Sequence, residues 1–127
     1  MVYAIVFVGA GIGGALRHGV NVGAARLFGL GFPMGTLIVN VVGSLVMGLF
    51  AGYFAYRTGI PQHARLFLTT GVLGGFTTFS AFSLDVALLM ERHAYGLAAA
   101  YAGLSVVASL AALFAGMAIF QSESFIP

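Results

Sequence analysis

Long apolar stretches separated by short turns divide the chain into four segments, roughly residues 3–27, 34–55, 63–90 and 95–120. Each segment is long enough to cross a bilayer as a helix, because a hydrocarbon core of about 30 Å takes about 20 helical residues. Glycine, proline or paired charges mark the turns, at residues 29–33, 57–61 and 91–93. The pattern predicts an all-α protein with four transmembrane helices, forming a single domain over residues 1–127.

The third segment is too long for one straight transmembrane helix. Residues 63–90 would measure about 42 Å as an α-helix, against a core of about 30 Å. Gly74-Gly75 and Thr77-Thr78 lie near its middle and weaken a helix. We therefore expect a break at mid-membrane, which frees carbonyls and amides that attract cations and anions, respectively. The alternative is that the glycines only allow close helix packing and that the hydroxyls bond to the preceding turn.

Composition places the chain in the membrane. It is 61% hydrophobic and 6% charged, which leaves too few polar residues to cover the surface of a water-soluble domain. The absence of cysteine excludes disulfides and thiolate metal sites. The chain has no cluster of basic residues that would indicate nucleic acid as a partner. The N-terminus lacks the basic region of a signal peptide, so we expect the first apolar segment to remain in the protein.

The arginines do not fix one orientation in the bilayer. One side of the predicted bundle carries Arg57 and Arg65, and the other carries Arg26 and Arg92. Since an excess of basic residues normally sets the cytoplasmic side, this tie permits insertion both ways. An antiparallel homodimer is therefore possible.

Phenylalanines follow the predicted break. Phe79 and Phe82 are three residues apart and share one face of the second half-helix, with Phe76 three residues earlier. Such rings commonly face lipid or the core. In this position their positive edges could instead contact a small anion on a narrow path.

Two rows of hydrogen-bonding side chains recur at four-residue spacing: Thr36, Asn40 and Ser44 in the second segment, and Tyr101, Ser105 and Ser109 in the fourth. Side chains at this spacing lie on one face of a helix. A row of donors can pass an ion along while it loses water, although hydrogen bonding between helices would use the same groups. Gly48 and Gly52 have the spacing of small residues that let helices pack closely.

Ionisable residues inside a predicted span indicate function. Arg17 lies well inside the first segment and could either draw anions into a vestibule or extend to the interface. His18 is expected near the headgroups. Asp85 could face an aqueous vestibule or cap the far half of the third helix. Glu91 and Arg92 are expected to be a solvated loop pair of little energetic weight.

These residues together resemble a known family. The string Gly74–Ser83, the run Gly35–Asn40 and the Gly13-x-x-x-Arg17 motif are similar to those of the bacterial fluoride channels called Fluc or CrcB, over residues 3–120. The resemblance implies an antiparallel, dual-topology homodimer with two anion pathways. Such a multi-pass protein of the bacterial cytoplasmic membrane would passively export fluoride and relieve its toxicity.

The resemblance also implies roles for individual residues. The fluoride pathway would comprise Phe79, Phe82, Asn40, Tyr101, Ser105, Ser109, Thr36, Thr78 and Ser80. Arg17 and Asp85 would lie at the vestibule. A structural sodium ion at the centre of the dimer would be bound by the backbone carbonyls of Gly74 and Thr77 from both subunits.

Two other protein classes fit the chain less well. A small multidrug exporter has similar length and span number, but should carry a glutamate in its first span, where this chain has none. A structural subunit of a larger membrane complex would account for the glycines but not for the clustered hydroxyls and phenylalanines. Nothing in the sequence calls for enzyme chemistry.

Overall fold

The computed structural model describes the backbone of residues 1–57 and 59–124. Its helical elements are α1 (Val2–Phe28), α2 (Met34–Tyr56), α3 (Gln62–Leu66), a π-helical segment (Phe67–Leu73), α4 (Gly74–Phe76), α5 (Phe79–Glu91) and α6 (Tyr95–Ser124). Those described residues contain no strand.

Four stretches are long and apolar enough to cross a membrane: Val2–Phe28, Met34–Ala55, Gln62–Glu91 and Tyr95–Phe120. The predicted all-α architecture with four membrane-spanning helices is confirmed. Residue 58, in the second predicted turn, lies outside the described residues.

The first and third turns reverse the chain through left-handed residues. Gly29 ends α1 with a φ of 76°, and its N–H donates to the Ala25 carbonyl at 2.9 Å. Glycine adopts this conformation without a steric penalty. After α5, His93 has a φ of 59°, and its N–H donates to the Met90 carbonyl at 3.0 Å. Both reversals are short, so each pair of helices lies side by side.

Glycines bring α1 against the first half of the third span. A Cβ on Gly13 would overlap the Val72 carbonyl oxygen, and one on Gly75 would overlap that of Ala10. A larger residue at either position would force the two backbones apart. The sequence left open that the glycines of the third span only allow close helix packing, and Gly75 has this packing role in the structure.

Helix α2 makes its most extensive contact with α6. A Cβ on Gly48 would overlap the Leu113 carbonyl oxygen, and one on Gly52 would lie 3.0 Å from that of Met117. Gly116 approaches the Leu45 carbonyl from the other side. The packing role predicted for Gly48 and Gly52 is confirmed, and it holds the two polar rows close together.

The third span departs from regular α-helix twice. Its residues Phe67–Leu73 form a π-helical segment, which the sequence did not predict and which is common near functional sites. Farther on, Thr77 (φ −86°, ψ 156°) and Thr78 (φ −152°, ψ 124°) are extended between α4 and α5. Gly74 remains helical, with φ −61° and ψ −38°. The irregular backbone therefore falls on the threonines, and not on the glycines that precede them.

A small apolar core lies at one end of the bundle. Leu37, Leu89, Ala98 and Tyr101 are buried, and Phe32 and Phe82 pack against them. Tyr101 is fully buried. This core joins the α1–α2 loop to α5 and α6 and thereby connects the surface to the interrupted span.

Candidate functional site

Asn40 of α2 holds the extended residue Thr78 by both of its backbone polar groups. The Thr78 N–H donates to Asn40 Oδ1 at 2.8 Å, and Asn40 Nδ2 donates to the Thr78 carbonyl at 3.0 Å. A side-chain amide can pair with the N–H and the carbonyl of one extended residue, because each side then presents a donor and an acceptor. Asn40 therefore replaces the helical hydrogen bonds that Thr78 lacks.

The two threonines make further hydrogen bonds at the interruption. Both the N–H and the Oγ1 hydroxyl of Thr77 donate to the Leu73 carbonyl, each at 3.0 Å. Thr78 is the N-cap of α5, and its Oγ1 accepts from the Ala81 N–H at 3.1 Å. That hydroxyl also lies 3.3 Å from the Ser80 hydroxyl. Capping of this kind stabilises a helix start by about 1 kcal/mol.

A cavity of about 260 Å³ opens beside the interrupted segment. It brings together six residues for which the family resemblance implies a place on one pathway, namely Asn40, Thr78, Phe79, Phe82, Ser105 and Ser109. Thr77, Ser44 and Val106 complete its lining. Ser44 belongs to the predicted polar row of α2 but had not been assigned to the pathway, and Val106 carried no signal in the sequence.

Two serine hydroxyls of α6 are the most unusual polar groups in the lining of this cavity. The Oγ atoms of Ser105 and Ser109 are buried and have no hydrogen-bond partner among the described residues. A buried polar group without a partner costs about 1–3 kcal/mol, so native proteins rarely keep one without a reason. Hydroxyls can rotate and donate to a small anion or to water that enters the cavity.

Aromatic rings line the path between the cavity and the core. The ring centroids of Phe79 and Phe82 are 5.6 Å apart, and those of Phe82 and Tyr101 are 5.3 Å apart. Phe79 is 76% exposed, whereas Tyr101 is fully buried. The rings thus run from the open side of the chain into its interior, and their positive edges can contact an anion that has lost water.

A second cavity, of about 310 Å³, lies near the α1–α2 loop. Thr36, Asn21 and Asp85 line it. The Tyr101 hydroxyl donates to Asp85 Oδ2 at 3.0 Å, so the two polar rows converge there. Asp85 lies in the middle of α5, whose N-cap is Thr78, and the capping alternative for this acid is therefore wrong.

Arg17, Ser80 and Gly74 lie apart from these two cavities. Arg17 is half-buried, its Nε has no partner within residues 1–57 and 59–124, and it lines neither cavity. Gly74 and Ser80 are exposed on either side of the interruption. Within those same ranges, no cluster of histidine, aspartate or glutamate could hold a metal ion, so a cation here would depend on backbone carbonyls.

Sequence reasoning missed the contacts of the α1–α2 loop. Arg92 is exposed, in agreement with the expected solvated position, and its Nη2 atom also donates to the Gly31 carbonyl at 3.0 Å. The Phe32 ring meets the Tyr101 ring edge-on, with centroids 5.5 Å apart. In the sequence, the only indication of these contacts was the aromatic residue Phe32 inside a glycine-rich turn.

Comparison with known proteins places these residues in a family. The profile of "CrcB-like protein, Camphor Resistance (CrcB)" matches residues 4–117. A "Fluoride-specific ion channel FluC" of Methylobacterium nodulans is 62% identical over 117 residues, covering 92% of this chain and 94% of the relative. A protein of the same name from Rhodopseudomonas palustris is 57% identical over 122 residues, covering 96% of this chain and 98% of the relative. The chain belongs to the CrcB family and is a multi-pass protein of the bacterial cytoplasmic membrane.

Proposed function

We propose that the chain is a fluoride channel that lets the ion flow passively out of the cell through a single transmembrane domain. The observation that carries the proposal is the pair of buried, unpartnered hydroxyls of Ser105 and Ser109, which face a cavity that Phe79 and Phe82 also line. The fluoride specificity named for its relatives supports the choice of ion. Membership of this family argues for transport and against an enzyme.

The chemistry of the cavity favours a small anion. Fluoride is compact and strongly hydrated, so a pathway must supply close donors as water leaves. The two serine hydroxyls supply such donors, and the ring edges add weak electrostatic attraction. Larger halides would gain less from the same donors, because their charge lies farther from the donor hydrogens. Thr36 and Tyr101 continue the pathway toward the second cavity, and Thr78 and Ser80 continue it on the side of the interruption.

Passive flow is the simplest mechanism. Among the residues that the structure describes, those lining the 260 Å³ cavity include no carboxylate that could couple the ion to protons. Asp85 faces the other cavity and accepts the Tyr101 hydrogen bond. Asp85 and Arg17 would act at the vestibule, where a guanidinium with an unpartnered Nε could raise the local concentration of anions.

A second copy of the chain would complete the structure in the membrane. Extended backbone is not tolerated against lipid, yet Gly74, Phe79 and Ser80 are exposed around the extended residues. An antiparallel partner would cover this face and give two pathways per dimer. The balanced arginines on the two sides are consistent with insertion in both orientations.

A structural sodium ion fits the carbonyls at the interruption. In an unbroken helix the Gly74 carbonyl would accept from the Thr78 N–H, but that N–H donates to Asn40. Gly74 is also exposed toward the face where a partner would lie. The carbonyls of Gly74 and Thr77 from both subunits would hold the ion, which would neutralise their dipoles and join the subunits.

Ion efflux from liposomes tests the proposal. Purified protein would be reconstituted into vesicles loaded with potassium fluoride or potassium chloride, and efflux would be started with a potassium ionophore and followed with ion-selective electrodes. We expect rapid fluoride efflux and little chloride efflux. Absence of fluoride efflux from correctly assembled protein would reject the function, whereas equal efflux of both ions would reject the selectivity.

A further inference from the structure

The α1–α2 loop is attached to the end of the bundle by a long side chain. Arg92, at the end of α5, donates from Nη2 to the Gly31 carbonyl at 3.0 Å. Gly29, with its φ of 76°, and Gly31 give the loop backbone freedom that this bond restrains. The bond therefore holds the loop in one position over α5 and α6.

Phe32 projects from this loop onto the core. Its ring meets the Tyr101 ring at 89°, with centroids 5.5 Å apart. Tyr101 contacts two further groups, namely the Phe82 ring at 5.3 Å and Asp85 Oδ2 at 3.0 Å. Phe32, Phe82 and Asp85 together determine where the Tyr101 ring and hydroxyl lie.

We propose that Phe32 is a positioning residue for the ion pathway, which acts by fixing the Tyr101 ring against Phe82 and is itself held in place by Arg92. The inference rests on the proposed function for its effect on ion flow. The positioning itself concerns only the chain's own residues and can be measured without transport.

The physical reason lies in the geometry of an edge-on ring pair. An aromatic edge contact is directional, so the Phe32 ring favours one orientation of Tyr101, whereas an aliphatic side chain of similar size does not. A tyrosine ring that turns about its side-chain torsions would move its hydroxyl from Asp85 and its face from Phe82. Loss of Phe32 would thus alter the pathway from a distance.

The test combines a spectroscopic signal with ion flow in four variants, and a fifth variant assigns the signal. Protein is labelled with 3-fluorotyrosine, and the Tyr101 resonance is assigned by its disappearance in Tyr101→Phe. Phe32→Leu removes the ring, Phe32→Tyr keeps it, and Arg92→Met removes the donor that holds the loop. Phe28→Leu is the matched control, because Phe28 is close in sequence but 56% exposed.

We expect Phe32→Leu to move or broaden the Tyr101 fluorine resonance and to lower fluoride efflux about two- to tenfold, the range that corresponds to an aromatic edge contact. Phe32→Tyr should keep the Tyr101 resonance and the efflux of the unaltered protein, with one added resonance from the label at position 32, and Phe28→Leu should change neither. Arg92→Met should shift the resonance in the same direction by a smaller amount. This variant alters an exposed side chain and keeps the proposal testable if Phe32→Leu fails to fold.

Two results would overturn the inference. An unchanged Tyr101 resonance in both Phe32→Leu and Arg92→Met would show that the loop does not position this ring. A moved resonance with normal fluoride efflux would show that the position of the ring does not matter for ion flow. If the unaltered protein carried no fluoride, the proposed function would fail on its own, and the resonance would still report on the positioning.

Discussion

The hydrogen bonds between Asn40 and Thr78 allow a sharp test of how the interruption is held. Asn40→Leu keeps a side chain of similar size but removes both the acceptor of the Thr78 N–H and the donor to the Thr78 carbonyl. The two groups lie 38 residues apart in sequence. Their pairing is therefore tertiary and does not depend on local helix propensity.

The expected magnitude follows from the two bonds. A fully buried backbone group that loses its partner costs about 1–3 kcal/mol; because the two Thr78 groups are partly buried, the pair contributes at most roughly 2–6 kcal/mol to the extended conformation. Exchange of the Thr78 N–H reports on its own bond alone. A loss of about 1–3 kcal/mol corresponds to exchange about 5- to 150-fold faster when opening is local.

Hydrogen exchange of Thr78 and fluoride efflux form the assay. We expect Asn40→Leu to accelerate Thr78 exchange by that factor and to reduce efflux strongly, because the cavity lining shifts with the backbone. Ser44→Ala is the control for exchange, since Ser44 lines the same cavity one helical turn farther on but makes no contact with Thr78 in the hydrogen bonds described. If the Thr78 N–H exchanged as slowly in Asn40→Leu as in the unaltered protein, the inference that Asn40 holds Thr78 in place would be refuted.

Three further predictions concern the cavity and the packing around it. Ser109→Ala should lower fluoride efflux while leaving thermal stability equal or higher, because a buried hydroxyl without a partner is removed; a marked loss of stability would contradict this. Phe79→Ile and Phe82→Ile should each sharply reduce efflux while the elution volume in size-exclusion chromatography stays unchanged, and normal efflux would remove these rings from the pathway. Gly75→Val should destabilise the fold by about 1–3 kcal/mol, because its Cβ would overlap the Ala10 carbonyl; denaturation in detergent measures this loss. Gly14→Val, where a Cβ meets nothing within 4 Å, should have little effect.

The sequence predicted the spans and the polar rows well for a simple physical reason. Hydropathy and four-residue spacing are local properties, and α2 and α6 display their rows on the faces that the glycines Gly48 and Gly116 bring together. The convergence of Asn40, Ser105 and Ser109 on one cavity follows from that close contact.

The sequence could not place the interruption to the residue. Gly74 and Gly75 have the lowest helix propensity in the segment, yet both stay helical while Thr77 and Thr78 are extended. The backbone of Gly75 packs against Ala10, and Thr78 is held by Asn40, so contacts distant in sequence override local propensity. The π-helical segment and the Arg92 bond to Gly31 are tertiary features for the same reason.

The two polar rows, which look equivalent in the sequence, differ in what they can offer an ion. Asn40 directs its oxygen and one amide hydrogen to the Thr78 backbone, so the side-chain amide of α2 holds the extended segment. Ser105 and Ser109 of α6 bond to no described residue and keep their donors free. The same division explains why loss of Asn40 should alter both backbone exchange and ion flow, whereas loss of Ser109 should alter ion flow alone. Helix α2 therefore shapes the pathway, and α6 supplies the donors that an anion would meet along it.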